Sequence, residues 1–318
     1  MTDGRPGASE PMRLLVLGAG VIGSVYAGKL LQAGHDVVLL ARGRRLTDLR
    51  TSGLVLEDSE SGQRLELPVP VFQSPEADQR YDLVLVAVRA EQLPATLPVL
   101  MGINDGPDVL FFGNIAGHGP ALIEALGQRA VFGFPAAGGF LDGAVVRYVL
   151  IGQQRTTIGE PSGATSSRVR RLQTMFSGAG FQTTITANVD GWLLGHAAFV
   201  VPMAFALYRV DTDAGRLAHD AATLRLMVRA TRQAFQALRA TGIGEIPMNL
   251  TVLYLRMPEG FAVHYWRRVL ASPRGELWFA AHSRAAVQEM TSLADELQAA
   301  VHRTGYETPD LDTLLSGH

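Results

Sequence analysis

Three glycines at fixed spacing, placed directly after an apolar run, constrain this chain more than any other feature in its 318 residues. Leu14 to Leu17 leads into Gly18-Ala19-Gly20-Val21-Ile22-Gly23, and a helix-like stretch follows through Ala33. A strand, a tight glycine turn and a helix in that order make a nucleotide-binding unit. Gly18 permits the turn, Gly20 lets backbone approach a pyrophosphate, and Gly23 lets the helix pack close to the sheet. The first helical turn, at Val21 and Ile22, then aims its N–H groups at the phosphates.

The end of the second strand selects the dinucleotide. A site for NAD carries a carboxylate there to accept from the ribose hydroxyls. This chain has Leu39-Leu40-Ala41-Arg42-Gly43-Arg44-Arg45 instead. A guanidinium stands where a 2′-phosphate would lie and offers it bidentate, charge-assisted bonds. Arg42 is the first candidate, with Arg44 or Arg45 assisting; the alternative is a solvated basic turn. The expected cofactor is NADPH.

Residues 12 to about 112 alternate short Val/Leu runs with amphipathic stretches. Strand-like pieces fall at 13–17, 37–41, 54–57, 65–71, 83–88 and 109–112, with helices at 23–33 and 90–100. Continuous apolar runs, rather than strict alternation, suit parallel strands covered on both faces. A glycine-rich, strand-like section follows to Gly159, then a helix at 167–177 and a last strand at 181–186. After Val189 strands nearly vanish, and 217–241, 260–271 and 285–303 carry helical spacing. The expected fold is α/β, an N-terminal Rossmann-type doubly wound sheet with a C-terminal all-helical domain. The expected division is a disordered tail at 1–11, an NADP-binding domain at 12–188, and a helical substrate or dimerisation domain at 189–318.

Composition removes several classes of function. Cysteine is absent, which excludes disulfides, thiolate metal sites and cysteine nucleophiles. A net charge of −2 gives no pull toward nucleic acid or anionic membrane. The arginines at 225, 229, 232 and 239 read as a solvated helix face. Trp192 to Tyr208 is nearly apolar but holds Gly195, His196 and Pro202, so it reads as a buried helix rather than a membrane span. No metal-binding motif is present. The expected partner is a small-molecule substrate in a cytoplasmic protein, with a homodimer through the helical half, and neither nucleic acid nor membrane.

The order of several motifs resembles the ketopantoate reductase (2-dehydropantoate 2-reductase) family from about residue 12 onward. Arg89-Ala90-Glu91-Gln92 after an apolar strand is similar to a Lys-Ala-x-Gln motif. Phe111-Phe112-Gly113-Asn114-Ile115-Ala116-Gly117 resembles a Leu-Gln-Asn-Gly-x-Gly turn, and Ile158-Gly159-Glu160 matches a later strand end. Asn188-Val189-Asp190-Gly191-Trp192 enters a long helix as in that family. Gln288-Glu289-Met290 and Gly305–Pro309 are similar to its closing segments. The resemblance implies that Asn114 lies beside the nicotinamide ribose and that Arg89 replaces a lysine near the cofactor. It also implies that Glu289 stands in the active-site cleft and that substrate binds between the domains.

The resemblance breaks in the long helix. The family pattern there is Trp-x-Lys-x-x-x-Asn-x-x-x-Asn, with the lysine as proton donor and the asparagines holding substrate. The corresponding residues here are Leu194, Ala198 and Pro202, and the only lysine in the chain is Lys29. A serine of the family falls at Leu277 in a looser match. An apolar face disfavours small polar oxo acids, because each unpaired polar group costs about 1–3 kcal/mol to desolvate. A bulkier, less polar carbonyl or imine is expected. Candidate acids are His118, just after the Asn114 turn, and His196, with an ordinary satisfied histidine as the alternative for each. His264, Tyr265 and His282 could reach the cleft, and Asp190 and Asp211 read as helix caps as readily as catalysts. The expected function is NADPH-dependent reduction of C=O or C=N. The alternative is a non-catalytic NADP(H)-binding sensor or regulator.

Overall fold

The computed structural model describes residues 10–76, 79–115, 117–242 and 244–316 of the chain. Positions 1–9 of the expected tail therefore lie outside the described residues, as does Ala116. The chain separates into two compact units, 1–189 and 190–318.

The first unit is built on an eight-stranded sheet. Its strands are β1 (Arg13–Leu17), β2 (Asp36–Leu40), β5 (Val71–Phe72), β6 (Leu83–Val86), β7 (Asp108–Phe112), β8 (Ala130–Phe134), β11 (Thr156–Gly159) and β12 (Thr183–Ile185). They lie in the order β12-β11-β8-β7-β6-β1-β2-β5, and the six from β5 to β8 are parallel. Read from β5, this is the doubly wound order in which the chain turns back on itself between β1 and β6. Leu14, Leu15, Val84, Leu85 and Leu110 are fully buried, as runs without polar alternation require in a sheet covered on both faces.

A second, four-stranded sheet comes from β3 (Leu54–Asp58), β4 (Arg64–Leu67), β9 (Ala137–Asp142) and β10 (Val145–Leu150), ordered β4-β3-β10-β9. Helix α1 (Val21–Gln32) touches both sheets, meeting β1 and β2 on one side and β3, β9 and β10 on the other. Tyr26 of α1 stacks on Phe181 with ring centroids 4.0 Å apart, and its hydroxyl lies 2.6 Å from Thr156 Oγ1. Gly28, half a turn on, has Leu56 of β3 so close that a Cβ would fall 2.5 Å from it.

Two expectations for this unit are corrected. The strand expected over 65–71 is two strands in different sheets, β4 and β5. Pro68 and Pro70 lie between them, and neither has an N–H to continue a ladder. The basic turn after β2 is in fact helix α2 (Gly43–Ser52), which buries Leu46 and Leu49. Helices α3 (Leu93–Met101), α4 (Gly119–Leu126) and α5 (Ser167–Gly178) complete the unit. At the amino end of the sheet Arg168 of α5 joins Glu160 to Asp108. Its Nε donates to Glu160 at 2.7 Å and its Nη1 to Asp108 at 2.9 Å, while Ser166 also donates to Glu160.

The second unit is helical. It begins in α6 (Val189–Tyr208), continues through α7 (Ala214–His219), α8 (Ala221–Ala240), α9 (Met248–Thr251), α10 (Glu259–Leu270), α11 (Pro273–Gly275), α12 (Ala281–Ala285) and α13 (Val287–His302), and ends in α14 (Pro309–Leu315). Helix α6 is long and apolar enough to cross a membrane, but 83% of that window is buried within the fold. The helix expected over 217–241 is broken at Asp220, whose carboxylate accepts from the N–H groups of Ala222 and Thr223 and starts α8 afresh. The arginine face of α8 is only half solvated. Arg229 pairs with Asp310, and Arg232 donates to the carbonyls of Tyr254 and Met257. Two π-helical turns, 252–256 and 276–280, bring Tyr254 and Phe279 against Phe199 and Trp266.

Candidate functional site

Open α/β sheets bind ligands beyond the carboxyl ends of their strands, at the point where the strand order reverses. In the first unit that edge consists of the loops after β1, β2, β6 and β7. They carry Gly18 to Gly23, Arg42, Arg89 and Asn114.

The three glycines of the first loop have different physical reasons. Gly18 has φ +109°, and a Cβ there would lie 2.5 Å from the carbonyl oxygen of Ala87. It brings the β1 loop against the β6 loop, where the N–H of Ala87 donates to Leu17 at 2.9 Å. A Cβ on Gly23 would fall 1.8 Å from the carbonyl oxygen of Gly18, so the first turn of α1 closes on its own loop. Gly20 is unlike both. Its backbone is extended (φ −71°), it is exposed, and nothing lies within 4 Å of where its Cβ would stand. Among the described residues no neighbour requires glycine there. The open space borders the start of α1, where Val21 and Ile22 are half-buried and the first turn holds no acidic side chain.

Arg42 follows β2 and precedes α2, exposed, and its guanidinium makes no hydrogen bond or ion pair among the described residues. Arg44 is also exposed, 3.9 Å from Asp48. The expectation that Arg45 assists is corrected. Its Nε donates to Ala19 O at 3.0 Å, its Nη1 to Ala144 O at 2.8 Å and its Nη2 to Ser24 Oγ at 3.1 Å. This guanidinium is committed to the fold and braces the glycine loop.

Arg89 stands exposed just beyond β6 on a loop closed by Gln92. The Arg89 N–H donates to Gln92 Oε1 at 3.2 Å, and the Gln92 N–H returns to Arg89 O at 2.9 Å. The bracing role of Gln92 was not read from the sequence, although the Arg-Ala-x-Gln spacing signals it. Asn114 is half-buried after Gly113, whose φ of +147° turns the chain out of β7. His118 lies at the head of α4, where its carbonyl accepts from Leu122 at 3.1 Å.

The remaining candidates belong to the second unit. His196 is buried, stacked on Trp192 with centroids 5.4 Å apart and edge-on to Phe199. Burial, assisted by the charge of His282, lowers its pKa to about 3. Its imidazole is neutral near pH 7 and behaves as a core histidine, one of the alternatives open from the sequence. Glu289 is buried in the first turn of α13. Burial and the neighbouring Glu289 raise the Tyr208 phenol to about 12, and that hydroxyl donates to Ser283 O at 3.0 Å. Along α6, Leu194 is partly exposed, whereas Ala198 and Pro202 are buried. The structure thus gathers Gly18, Gly20, Val21, Ile22, Gly23, Arg42, Arg89 and Asn114 at one edge of one sheet, with His118 on the segment that follows. His196 and Glu289 lie in the helical unit.

Residues 14–163 match the family model described as ketopantoate reductase PanE/ApbA. A 2-dehydropantoate 2-reductase of Halobacterium salinarum is 28% identical over 235 residues, which is 73% of this chain and 77% of that protein. Among solved structures, a 2-dehydropantoate 2-reductase from Geobacter metallireducens is similar with a TM-score of 0.75 at 18% identity, covering 96% of this chain and 99% of its own. A D-mandelate dehydrogenase in ternary complex with NADH and anilino(oxo)acetate is similar with a TM-score of 0.74 at 16% identity, covering 96% of both chains.

Proposed function

We propose that this chain, whose residues 14–163 match the ketopantoate reductase (PanE/ApbA) family model, is an oxidoreductase of that type, an NADPH-dependent reductase of a small carbonyl or imine compound. Gly20 carries this reading. It is a glycine for which the protein itself has no steric need, set where a pyrophosphate would meet the first turn of α1. The residues present fit the dinucleotide. Gly18 and Gly23 fix the loop, and the amides of Val21 and Ile22 would meet the phosphates. Arg42, without a partner among the described residues, would offer its donors to a 2′-phosphate, and Arg89 and Asn114, on the loops after β6 and β7, would stand toward the nicotinamide half. When bound, NADPH supplies the hydride that reduces the substrate carbon.

The substrate is less polar than ketopantoate. Supporting this, the stripe Leu194, Ala198 and Pro202 carries no hydrogen-bonding side chain, and its one partly exposed member, Leu194, would leave a polar substituent packed on it without a partner. The same stripe favours a second reading, an NADP(H)-binding sensor that performs no reduction. NADPH oxidation by the purified protein, with ketopantoate and phenylglyoxylate in parallel and a binding titration alongside, separates the readings. Turnover of phenylglyoxylate above ketopantoate is expected. Tight NADPH binding with no turnover of any oxo compound would favour the sensor, and failure to bind NADPH would overturn both.

A further inference from the structure

The carbonyl of Ala19 belongs to the peptide that joins it to Gly20, and two donors hold its oxygen from within the first unit. Arg45 Nε donates to it at 3.0 Å and Ser24 Oγ at 3.1 Å. The same hydroxyl accepts from Arg45 Nη2 at 3.1 Å, which closes a small network around one oxygen. Ser24 is fully buried in the first turn of α1, and Arg45 is half-buried near the start of α2.

A trans peptide points its C=O and its N–H in opposite directions. No cis peptide bond occurs among the described residues, so the Ala19 oxygen turned toward Arg45 leaves the Gly20 N–H turned away from it. Gly20 is exposed, and its N–H donates to no group among the described residues, whereas its carbonyl accepts from the Ser24 N–H at 3.0 Å. A guanidinium bonded to the carbonyl of a peptide polarises the N–H at its other side, which then donates more strongly.

The charge balance around Arg45 points the same way. Its acceptors, Ala19 O, Ala144 O and Ser24 Oγ, are all neutral, and no carboxylate pairs with it among the described residues. Burial disfavours its charged form, and the more distant Asp48 offsets this only in part. Arginine keeps its proton regardless, so the fold holds a cation whose counter-charge it does not supply. Arg168 in the same unit is the contrast, since the carboxylates of Glu160 and Asp108 both close on it.

We propose that Arg45, together with Ser24, is a positioning residue for the dinucleotide pyrophosphate: it turns the Gly20 N–H toward the anion and lends it positive charge without touching it. This rests on the dinucleotide reading above and extends it to a side chain behind the loop. Pyrophosphate is common to NADPH and NADH, so Arg45 serves both, whereas Arg42 distinguishes them.

Binding of NADPH, NADH and adenosine 2′-monophosphate to the full chain tests this, for wild type, Arg45→Gln, Arg45→Lys and Ser24→Ala, with the 1H–15N signal of Gly20 followed in wild type. The monophosphate carries the group that Arg42 would meet and has no pyrophosphate. NADPH and inorganic pyrophosphate are expected to move the Gly20 amide proton downfield, and adenosine 2′-monophosphate to leave it in place. Arg45→Gln should weaken NADPH and NADH alike by about 10-fold or more, the usual effect of losing a bond to a charged group, with the monophosphate bound as before. Arg45→Lys, which keeps the charge, should recover part of that loss, and Ser24→Ala should show a smaller loss of the same pattern. Weakening of all three ligands together in Arg45→Gln would make the arginine a brace for α2 alone and overturn the assignment. A wild-type Gly20 amide unmoved by bound NADPH would overturn it whether or not the variants fold. Either result leaves the dinucleotide reading standing, whereas a wild type that binds neither NADPH nor NADH would overturn both.

Discussion

Arg45 Nε donates to the carbonyl oxygen of Ala19 at 3.0 Å, so an arginine from the start of α2 holds the glycine loop after β1 in place. Arg42, three residues earlier, makes no such bond. Two neighbouring arginines thus divide the work of the basic segment, one within the fold and one facing outward.

Replacing each in turn separates these roles. Arg42→Ala is expected to weaken NADPH binding by about 10-fold or more, the cost of losing a hydrogen bond to a charged group, with NADH binding and Tm little changed. Arg45→Ala is expected to lower Tm and to weaken both dinucleotides together. Parallel fluorescence titrations with NADPH and NADH check this, and equal losses from Arg42→Ala would contradict the assignment.

The glycines of the loop should likewise fall into two kinds. Gly23→Ala forces a methyl to 1.8 Å from the Gly18 oxygen and is expected to destabilise the first unit severely. Gly20→Ala has open space and should fold with an unchanged Tm while losing most of its NADPH affinity. Thermal melts with and without 1 mM NADPH (about 10-fold or more over a typical Kd, enough to shift Tm) would show the difference.

His196 makes stability sensitive to acid. Its folded pKa is driven down to about 3 by burial and by His282, while in the unfolded chain it stays near 6.5. Between those values the unfolded state binds the extra proton, so stability falls as pH drops from 6.5, by up to about 1.4 kcal/mol per pH unit for this one group. His196→Phe is expected to flatten that slope in urea unfolding measured from pH 7 to 5. An unchanged slope would place the acid sensitivity elsewhere.

Glu160 acts at lower pH. Burial alone would raise its carboxyl, but Arg168 and Ser166 outweigh that and hold it below the usual value of 4.5. A depressed carboxylate contributes stability that is complete above about 4.5 and is lost as pH falls through its folded value. Glu160→Gln is expected to cost about 2–3 kcal/mol at pH 7, since it removes charge-assisted bonds to Arg168, and the difference from wild type should shrink below pH 4.

The main sheet was legible in the sequence because its strands are unbroken apolar runs, and the turn Gly18 to Gly23 announced itself by spacing. The partition of strands between two sheets was not legible. Leu65 to Val71 places apolar residues at every second position, as one half-buried strand would, and only the two prolines within it hint that pairing changes partner. Arg42 and Arg45 were indistinguishable as residues, because their difference lies in what the chain brings near them from position 144, about a hundred residues away. Both π-helical turns were invisible, since one extra residue per turn leaves no periodic trace in segments this short. The neutrality of His196 also depended on packing from Trp192 and Phe199 that spacing alone left open.

Helix α1 is gripped on two sides, by the eight-stranded sheet through Tyr26 and by the four-stranded sheet at Gly28. A helix held this way cannot slide or tilt when an anion reaches its first turn. Little ordering entropy remains to be lost on binding, so affinity reflects contact energy more directly than it would at a mobile loop. The four-stranded sheet, which carries none of the candidate ligand-binding residues, acts as the splint that keeps those amides aimed.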